Sequence, residues 1–446
     1  MTVAPRADYS GPFDPDFALA DLSRSALAVL GREYLLHGQL QDRGAMAPVL
    51  GRTGIDARVG LAIDEWMSAS PIYSKRMQRA LDFTGNDVRT LFKNLQLDIG
   101  FSHGYMDVRY ELHDERSGEF WLATCGALLD VEPFGEDMVH GMCHDIEDPT
   151  FDATAAATNP LIRIRPVHRP PRVPADQQPH CRWRVFFDDA PNATPFAEHP
   201  NVEAMRRSRL ADVDIVDPGT DRESGGMPDY AGEFDPDFSL ESFSHRTLVL
   251  ADQEFAVQSH LLCRSFLLAV AQRLGNDDEA REIATIQWVG AAGLTAERLR
   301  AAMAVEGDDA GAVAKLFQLH PCFQPRTYVD LRVEVLDDQR AVISFRECPA
   351  FEEGDPYSWF AQLGRAPHPA LDAIARVGNP RARCHPVEAA GDARLTWEMV
   401  IDPTADPAPE PNEVRMAKGS NGAALLLAPR TRQRLPLQRA ATTTAR

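Results

Sequence analysis

The sequence predicts an α+β protein of two homologous domains, each with a helical layer followed by a mostly antiparallel sheet with one inserted helix. Three observations lead to this prediction. The chain contains a long internal repeat, the first part of each repeat has apolar residues at helical spacing, and the second part is rich in strand-forming residues. The 446 residues are enough for two or three domains with cores of their own.

The repeat is clearest in a short aromatic and acidic motif. YSGPFDPDF at 9–17 recurs as YAGEFDPDF at 230–238, an offset of 230 − 9 = 221 residues, and Trp66 later matches Trp288. Further matches are Cys125 with Cys348, Pro149 with Pro369, Asp152 with Asp372 and Asn159 with Asn379. The small drift in offset indicates a duplication. Because both copies keep the motif, we expect it to be scaffold that pins the entry of the first helix to the core.

The repeats and the composition between them predict four regions. The first domain spans 1–190, a linker rich in Pro, Gly and polar residues spans 191–228, and the second domain spans 229–402. Residues 403–446 are predicted to form a disordered tail whose last part is basic. This tail is either simply solvated or docks on an acidic partner.

Each element follows from a local pattern. Apolar residues at helical spacing predict helices over 19–41, 55–68, 71–82 and 85–97. Segments rich in Val, Tyr, Trp and Leu predict strands over 105–113, 119–131, 161–168 and 180–188. One further helix is predicted over 134–148, ending before Pro149 because a proline disfavours helical backbone in the preceding residue.

This inserted helix carries four potential metal ligands, which are His140, Cys143, His144 and Glu147. An α-helix turns by about 100° per residue, so the four side chains are predicted to share one arc of roughly 100°. His140 and His144 are one turn apart, the spacing at which two imidazoles can reach one ion.

Two interpretations of this helix remain open. Every amphipathic helix needs a polar face, and these residues could be no more than that face. However, Cys and His are uncommon on solvated faces. The second repeat has Leu363, Gly364 and Pro367 at the positions of the cysteine, the second histidine and the glutamate. That difference is expected if the first repeat is functional and the second is only structural. It is also expected if a solvent-exposed surface has simply diverged in sequence.

Two other cysteines could complete the site. Cys125 lies in the strand before the helix and Cys181 in the last strand, so both could converge with Cys143 at one end of the sheet. Thiolates and imidazoles together would suit Zn²⁺ or iron. Glu147 would then be a ligand or the catalytic base, and Cys143 a ligand or a nucleophile. Because Cys125 is matched by Cys348, it could instead be a small core residue.

The order of these residues resembles two known groups. A cysteine in a strand (Cys125), a helix with a cysteine and acidic residues (143–148) and a last strand with a cysteine and an aromatic residue (181–183) are similar to L-2-amino-thiazoline-4-carboxylic acid hydrolase-like proteins and to 4-vinyl reductase-type small-molecule-binding domains. The CHDIEDPTFD segment at 143–152 and the tandem arrangement depart from both groups, and the chain as a whole resembles a tandem-repeat actinobacterial family. The resemblance implies a small-ligand pocket over the sheet and, as one possible chemistry, opening of a C–N ring bond.

The composition limits the classes of function. A net charge of −20 argues against nucleic-acid binding, which depends on Lys and Arg. No apolar run reaches the ~20 residues of a membrane span, and the first residues show no signal peptide. Seven widely spaced cysteines fit reduced thiols, so we expect a cytoplasmic protein.

Three functional hypotheses follow. The first is a metal-dependent enzyme, leaning to hydrolysis, that acts on a small organic acid or amide through His140, Cys143, His144 and Glu147. The second is a non-catalytic small-ligand-binding or sensor protein with its pocket between the two repeats. The third is a structural partner that docks through its basic tail. Nucleotide chemistry and the common hydrolase templates are disfavoured, since no phosphate loop, serine elbow or HExxH motif is present.

Overall fold

The computed structural model describes residues 4–430 and confirms the predicted α+β fold. The helices of the first half are α1 (Arg24–Thr53), α2 (Ile55–Ala80), α3 (Val88–Leu95), α4 (Gly126–Val131), α5 (Glu136–His140), α6 (Glu147–Thr158), α7 (Asn201–Arg206) and α8 (Arg209–Asp212). Its strands are β1 (Met106–Asp114), β2 (Ser117–Cys125), β3 (Ile162–His168) and β4 (Cys181–Phe187). Within residues 4–430, no helix has the length and apolarity needed to cross a membrane.

The second half repeats this order with fewer helices. Its helices are α9 (His245–Leu274), α10 (Asp277–Ala302), α11 (Ala310–Leu319), α12 (Pro369–Gly378) and α13 (Asn412–Ala417). Its strands are β5 (Leu331–Asp337), β6 (Arg340–Arg346), β7 (Ala382–Val387) and β8 (Ala393–Ile401). The long helices begin with matching caps, since the Ser23 and Ser244 hydroxyls each accept a hydrogen bond from a backbone N–H of the first turn.

The two antiparallel sheets have the same strand order, β1-β2-β4-β3 in the first half and β5-β6-β8-β7 in the second. In the first sheet Phe120 is paired with Tyr110 on one side and with Trp183 on the other, and all three side chains are buried. Trp397 is buried at the corresponding position of the second sheet. The first sheet therefore covers its core with an aromatic row, whereas the corresponding row of the second sheet is made of Val333, Ile343 and Trp397.

The long helices pack across the two halves. Helix α1 packs mainly on α10 and α9 of the second half, and α2 packs mainly on α9. The successive pairs α1–α2 and α9–α10 touch each other far less. The helical layers of the two repeats are therefore intertwined.

The repeated aromatic motif fastens each half to the other. The Tyr9 backbone N–H donates to the Met303 carbonyl (2.8 Å), and the Tyr9 hydroxyl donates to Gln318 Oε1 (2.7 Å). In the other direction, the Tyr230 backbone N–H donates to the Leu81 carbonyl (2.7 Å). The motif is scaffold, as predicted, but it is anchored on the opposite repeat.

A pair of matching buried ion pairs also crosses between the halves. Arg76 on α2 holds Glu254 on α9 through two hydrogen bonds of 2.8 and 3.0 Å. Arg298 on α10 holds Glu33 on α1 through two hydrogen bonds of 2.7 and 2.9 Å. Glu33 and Glu254, which match in the sequence, therefore form two equivalent ion pairs between the halves, which we call the buried clamps.

The predicted linker and the predicted tail each follow the last strand of a repeat, and each contains a short helix that packs on a long helix of the same repeat. Helix α7 lies in the linker and packs on α2, whereas α13 lies in the tail and packs on α10. Both helices begin at an asparagine that follows a proline, Asn201 and Asn412. Residues 403–430 thus differ from the predicted disorder because a short helix there buries Val414. Residues 431–446, where the tail is most basic, lie outside the described residues.

Candidate functional site

The inserted helix of the first repeat differs from its prediction. Helix α5 leads into a π-helical turn, Gly141–Ile146, and then into α6, so the helix runs on to Thr158. The prediction that Pro149 ends it is wrong. Pro149 lies just after the π-turn, which changes the spacing of the helical hydrogen bonds just before the position where the proline lacks its N–H. The sequence reading also missed α6 itself.

The π-turn changes which side chains face inward. Cys143 and Ile146 are buried, whereas His140 is exposed and His144 is half-buried. The two imidazoles stack at 4.2 Å between ring centroids, and His144 Nε2 hydrogen-bonds the Pro170 carbonyl (2.7 Å). The predicted common arc is wrong because a π-turn holds more residues per turn than the α-helix assumed for it.

The three predicted cysteine ligands lie in the core of the first sheet. Cys125, Cys143 and Cys181 are all buried among apolar residues. Burial raises the pKa of the Cys125 thiol to about 12, and it raises the pKa of the Cys143 thiol still further. Protonated thiols are weak ligands and weak nucleophiles.

The predicted residues do not form a metal centre as a group. The cysteines and Glu147 face inward, and the two histidines lie on the outer side of the same helix. Within residues 4–430, no three His, Cys, Asp or Glu side chains are grouped to hold a metal ion. This arrangement does not fit Zn²⁺ or iron on the predicted ligands, since such ions need side chains that converge on one point.

Of these residues, Glu147 reaches a cavity between α1, α2 and the inserted helix. The cavity has a volume of about 820 Å³, its open mouth included. Its apolar lining includes Met46, Ala62, Trp66, Phe101, Met106, Leu122, Met142, Ile146 and Phe151. Its polar lining includes Gln39, Asp42, Arg43, Arg58, Tyr73, Asp98, Glu147, Thr150 and Thr154. A mostly apolar cavity with a few polar groups is typical of a site for a small organic molecule.

The Glu147 carboxyl group is held in a way that favours its neutral form. Part of the side chain is exposed, but Oε2 is buried and has no hydrogen-bond partner in the described part of the chain. Burial raises the pKa of Glu147 to about 8, although the positive charge of Arg169 opposes the rise. At neutral pH the group therefore carries a proton that it can donate.

Arg58 places a positive charge beside the same cavity. The residue is only 4% exposed, and its recorded side-chain hydrogen bond runs from Nη2 to the Met138 sulfur (3.7 Å). No carboxylate forms an ion pair with Arg58 within residues 4–430, and its Nε has no partner there. Burial and the nearby Arg43 lower the pKa of Arg58, and the charge of Asp42 opposes the shift without forming an ion pair. An unpaired, buried guanidinium is costly unless a ligand supplies the counter-charge.

Further acidic groups lie in and behind the cavity. Asp98 accepts hydrogen bonds from the Tyr73 hydroxyl (3.0 Å) and the Gly100 backbone N–H (2.7 Å). Burial nevertheless raises the pKa of Asp98 to about 7. Burial also raises the pKa of Glu65 well above its ordinary value, and the negative charge of Asp42 adds to that rise. Perturbed acids that cluster at one cavity are typical of functional sites.

In the second repeat, the corresponding space is filled by the side chain of Trp359, which we call the aromatic plug. The Trp359 ring stacks on Trp288, the counterpart of Trp66, with 6.0 Å between ring centroids. The Trp359 indole N–H donates to Gln287 Oε1 (3.0 Å), and Gln287 is the counterpart of Glu65. Trp359 therefore occupies the space that corresponds to the cavity of the first repeat.

The sequence reading missed the cavity residues on α1 and α2. The signal was present in the same alignment that revealed the duplication. At an offset of 222 residues, Arg58 stands opposite Ala280 and Asp98 opposite His320. Cysteines and histidines stood out in the sequence for their chemistry, whereas Arg58 and Asp98 are ordinary charged residues of the helical layer that differ between the copies.

Comparisons with protein-family models, curated proteins and solved structures found no match for this chain. The resemblance to hydrolase-like and reductase-type domains therefore stays a prediction. Fold and cavity together define the class: an intertwined, duplicated α+β protein with a cavity of carboxyl and guanidinium groups in one repeat and an aromatic plug in the other.

Proposed function

We propose that the first repeat binds a small organic acid and catalyses a proton transfer to or from it. One observation carries the proposal: the unpaired guanidinium of Arg58 and the unbonded carboxyl oxygen of Glu147 belong to the same cavity. The proposal replaces metal chemistry with acid–base chemistry at Glu147, the one predicted site residue that reaches this cavity.

Arg58 supports an anionic ligand. A carboxylate accepts two parallel hydrogen bonds from a guanidinium, and the pair is strong where water is excluded. The apolar lining, with Trp66 and Phe151 among its aromatic residues, suits the organic part of such a ligand. A neutral amide of the same shape would leave the guanidinium charge uncompensated, so the cavity should discriminate between the two.

Glu147 supports acid–base catalysis. A catalytic acid or base works best when its pKa lies near the working pH, and burial brings the pKa of Glu147 to about 8. For a 2-oxo acid, the ionised form of Glu147, whose share grows as the pH rises towards 8, would take a proton from C3. The released electron pair would form the C2–C3 double bond as the carbonyl oxygen becomes an enolate, and the protonated carboxyl would return the proton.

The binding half of the proposal is tested with benzoate and benzamide, which share an apolar ring and differ in charge. We expect benzoate to bind saturably in a calorimetric titration and benzamide to bind at least tenfold more weakly. Arg58→Ala, which introduces the residue of the second repeat, should lose benzoate binding. Arg79→Ala is the matched control, because Arg79 is an exposed residue of α2 that also stands opposite an alanine, Ala301. Equal binding by both variants would refute the anion site.

The catalytic half is tested with phenylpyruvate in D₂O. We expect the protein to accelerate exchange of the C3 protons, as measured by proton NMR, and Glu147→Gln to reduce exchange to the uncatalysed rate while benzoate still binds. Binding without accelerated exchange would refute catalysis and leave the ligand-binding or sensor function. That second candidate is favoured by the same cavity, which needs no reaction in order to hold an anion.

A further inference from the structure

A second cavity lies under the C-terminal segment, defined as residues 418–430. It has a volume of about 990 Å³, its open mouth included, and is bounded by β1, α1 and this segment. Its lining includes Arg32, His103, Arg109, Tyr110, Thr124, Ser239 and Arg430. It also shares Phe101 and Met106 with the first cavity, so these two side chains lie between the two spaces.

Three arginines from distant parts of the chain meet at this cavity. Arg32 is 2% exposed and Arg109 is 8% exposed. Each retains a buried nitrogen without a hydrogen-bond partner in the described chain, namely Nε of Arg32, Nη1 of Arg109 and Nε of Arg430. Unused N–H donors beside a cavity are available to a ligand.

The positive charges outnumber the carboxylates that pair with them. Arg109 pairs with Asp107 (2.8 Å), and Arg32 pairs with Glu241 (2.6 Å). Arg430 donates to the Val108 carbonyl but forms no ion pair with any carboxylate of residues 4–430. Among the residues that line the cavity, the three arginines outnumber the one carboxylate, Asp107, so the lining has an excess of positive charge.

The electrostatics of the neighbouring groups agree with this excess. Burial lowers the pKa of Arg430 and repulsion from Arg109 lowers it further, although Tyr110, Asp107 and Asp237 oppose the shift. Burial also lowers the pKa of His103 to about 4, and Arg430 and Arg32 both add to that shift. The guanidiniums are thus close enough to destabilise one another's charge, a cost that a bound anion would relieve.

The wall that carries Arg430 is anchored by defined contacts. Arg298 on α10 donates hydrogen bonds to the Ala423 carbonyl (2.9 Å) and the Leu425 carbonyl (2.8 Å). At the start of the segment, the Asn421 backbone N–H donates to Asp130 Oδ1 (2.7 Å). The segment therefore forms a built wall of the cavity.

We propose that this second cavity binds an oxoanion, the phosphate or carboxylate group of a small molecule, between Arg109 and Arg430. Arginine is suited to such groups because its fork of N–H donors matches two oxygens at once. Arg32 completes the positive surface from the side of α1. The inference is independent of the proposed function, since it uses none of the groups that would bind or turn over the ligand of the first cavity.

The full chain is titrated with inorganic phosphate and, separately, with acetate, at an ionic strength held constant with sodium chloride. We expect at least one of the two oxoanions to bind saturably and to raise the melting temperature. Arg430→Gln and Arg109→Gln should each weaken that binding about tenfold or more. Arg430→Lys should restore part of it, because a lysine keeps the charge and loses the fork.

Two matched controls remove a charge elsewhere. Arg332→Gln changes the second-repeat counterpart of Arg109, and Arg415→Gln changes an exposed arginine of α13. Both should bind the oxoanion like the unaltered protein. The proposal is overturned if neither oxoanion saturates, or if the binding survives in both Arg109→Gln and Arg430→Gln. Benzoate titrations of the same two variants separate this site from the first cavity, whose binding should remain.

Discussion

Cys143, His144 and Glu147 lie within five residues of one another, but their side chains have different surroundings. Cys143 and His144 are neighbours with strong metal-ligand potential, yet one is a protonated core thiol and the other is bonded to a loop carbonyl. Glu147, only three residues further on, has a buried carboxyl oxygen that faces a cavity. The residue types in this segment indicated reactive groups, but they did not show which side chain would line the cavity.

The raised pKa of Glu147 gives a signature in the pH dependence of stability. Between its ordinary value of 4.5 and about 8, the folded protein retains a proton that the unfolded chain has lost. This contribution is fully present at low pH and is lost as the pH rises to about 8. Relative to Glu147→Gln, the unaltered protein should therefore lose about 3–5 kcal/mol of unfolding free energy between pH 5 and pH 9.

This prediction is checked by urea unfolding of both proteins across that pH range. Asp98 and the other buried acids are common to both proteins, so the difference isolates Glu147. Glu136→Gln, which removes an exposed carboxyl group of α5, controls for the loss of one side-chain charge. A difference between Glu147→Gln and the unaltered protein that stays constant with pH would contradict the raised pKa.

In each repeat, one short segment determines whether the space beside the matched tryptophan, Trp66 or Trp288, is an open cavity or is filled by a side chain. In the first repeat the π-turn and α6 bring Glu147 to the space beside Trp66. In the second repeat the chain before α12 instead inserts Trp359, next to a short 3₁₀ turn. The predicted Pro149 stop was wrong because the helix continues through the π-turn that lies just before the proline.

The plug in the second repeat should be costly to remove. Trp359 is 1% exposed and contacts Trp288 and His260, so Trp359→Ala would leave a cavity in a packed core. We expect the free energy of unfolding to fall by about 3–5 kcal/mol. Trp66→Ala is the matched comparison and should cost less, because Trp66 is partly exposed and already lines a cavity.

Chemical denaturation of the two variants tests this expectation. Equal losses would mean that the space beside Trp66 is packed as tightly as the space around Trp359. Benzoate binding adds a second readout, since Trp359→Ala should leave the first cavity unchanged. A loss of binding in Trp359→Ala, with its secondary structure intact, would show that the two spaces are coupled.

At the scale of the whole molecule, the two repeats form one intertwined body. Helix α1 packs on α10, α2 packs on α9, and each aromatic motif is anchored on the opposite half. The predicted division into a first domain, a linker and a second domain follows the chain, whereas the core contacts cross between these regions. Neither repeat completes its helical layer alone.

Removing one charge from a buried ion pair between the halves should lower the free energy of unfolding more than removing one charge from an exposed pair. Glu254→Gln leaves the Arg76 guanidinium buried without its carboxylate, so we expect a loss of about 3–5 kcal/mol of unfolding free energy. Glu203→Gln removes a carboxylate from an exposed pair with Arg207 and should cost less than about 1 kcal/mol. Similar losses in both variants, measured by urea unfolding, would contradict the inter-repeat role of the clamp.

The sequence by itself determined the duplication and the α+β class with helices before strands, because these depend on periodicity and on matches between the copies. It also showed that the two copies differ along the inserted helix, a difference that suits either one working copy or a drifted surface. Only the tertiary structure decided that the helices exchange partners and that Arg58, Asp98 and Glu147 surround one cavity. The reason is that local patterns define which face of an element is apolar, whereas the element that covers that face can lie hundreds of residues away.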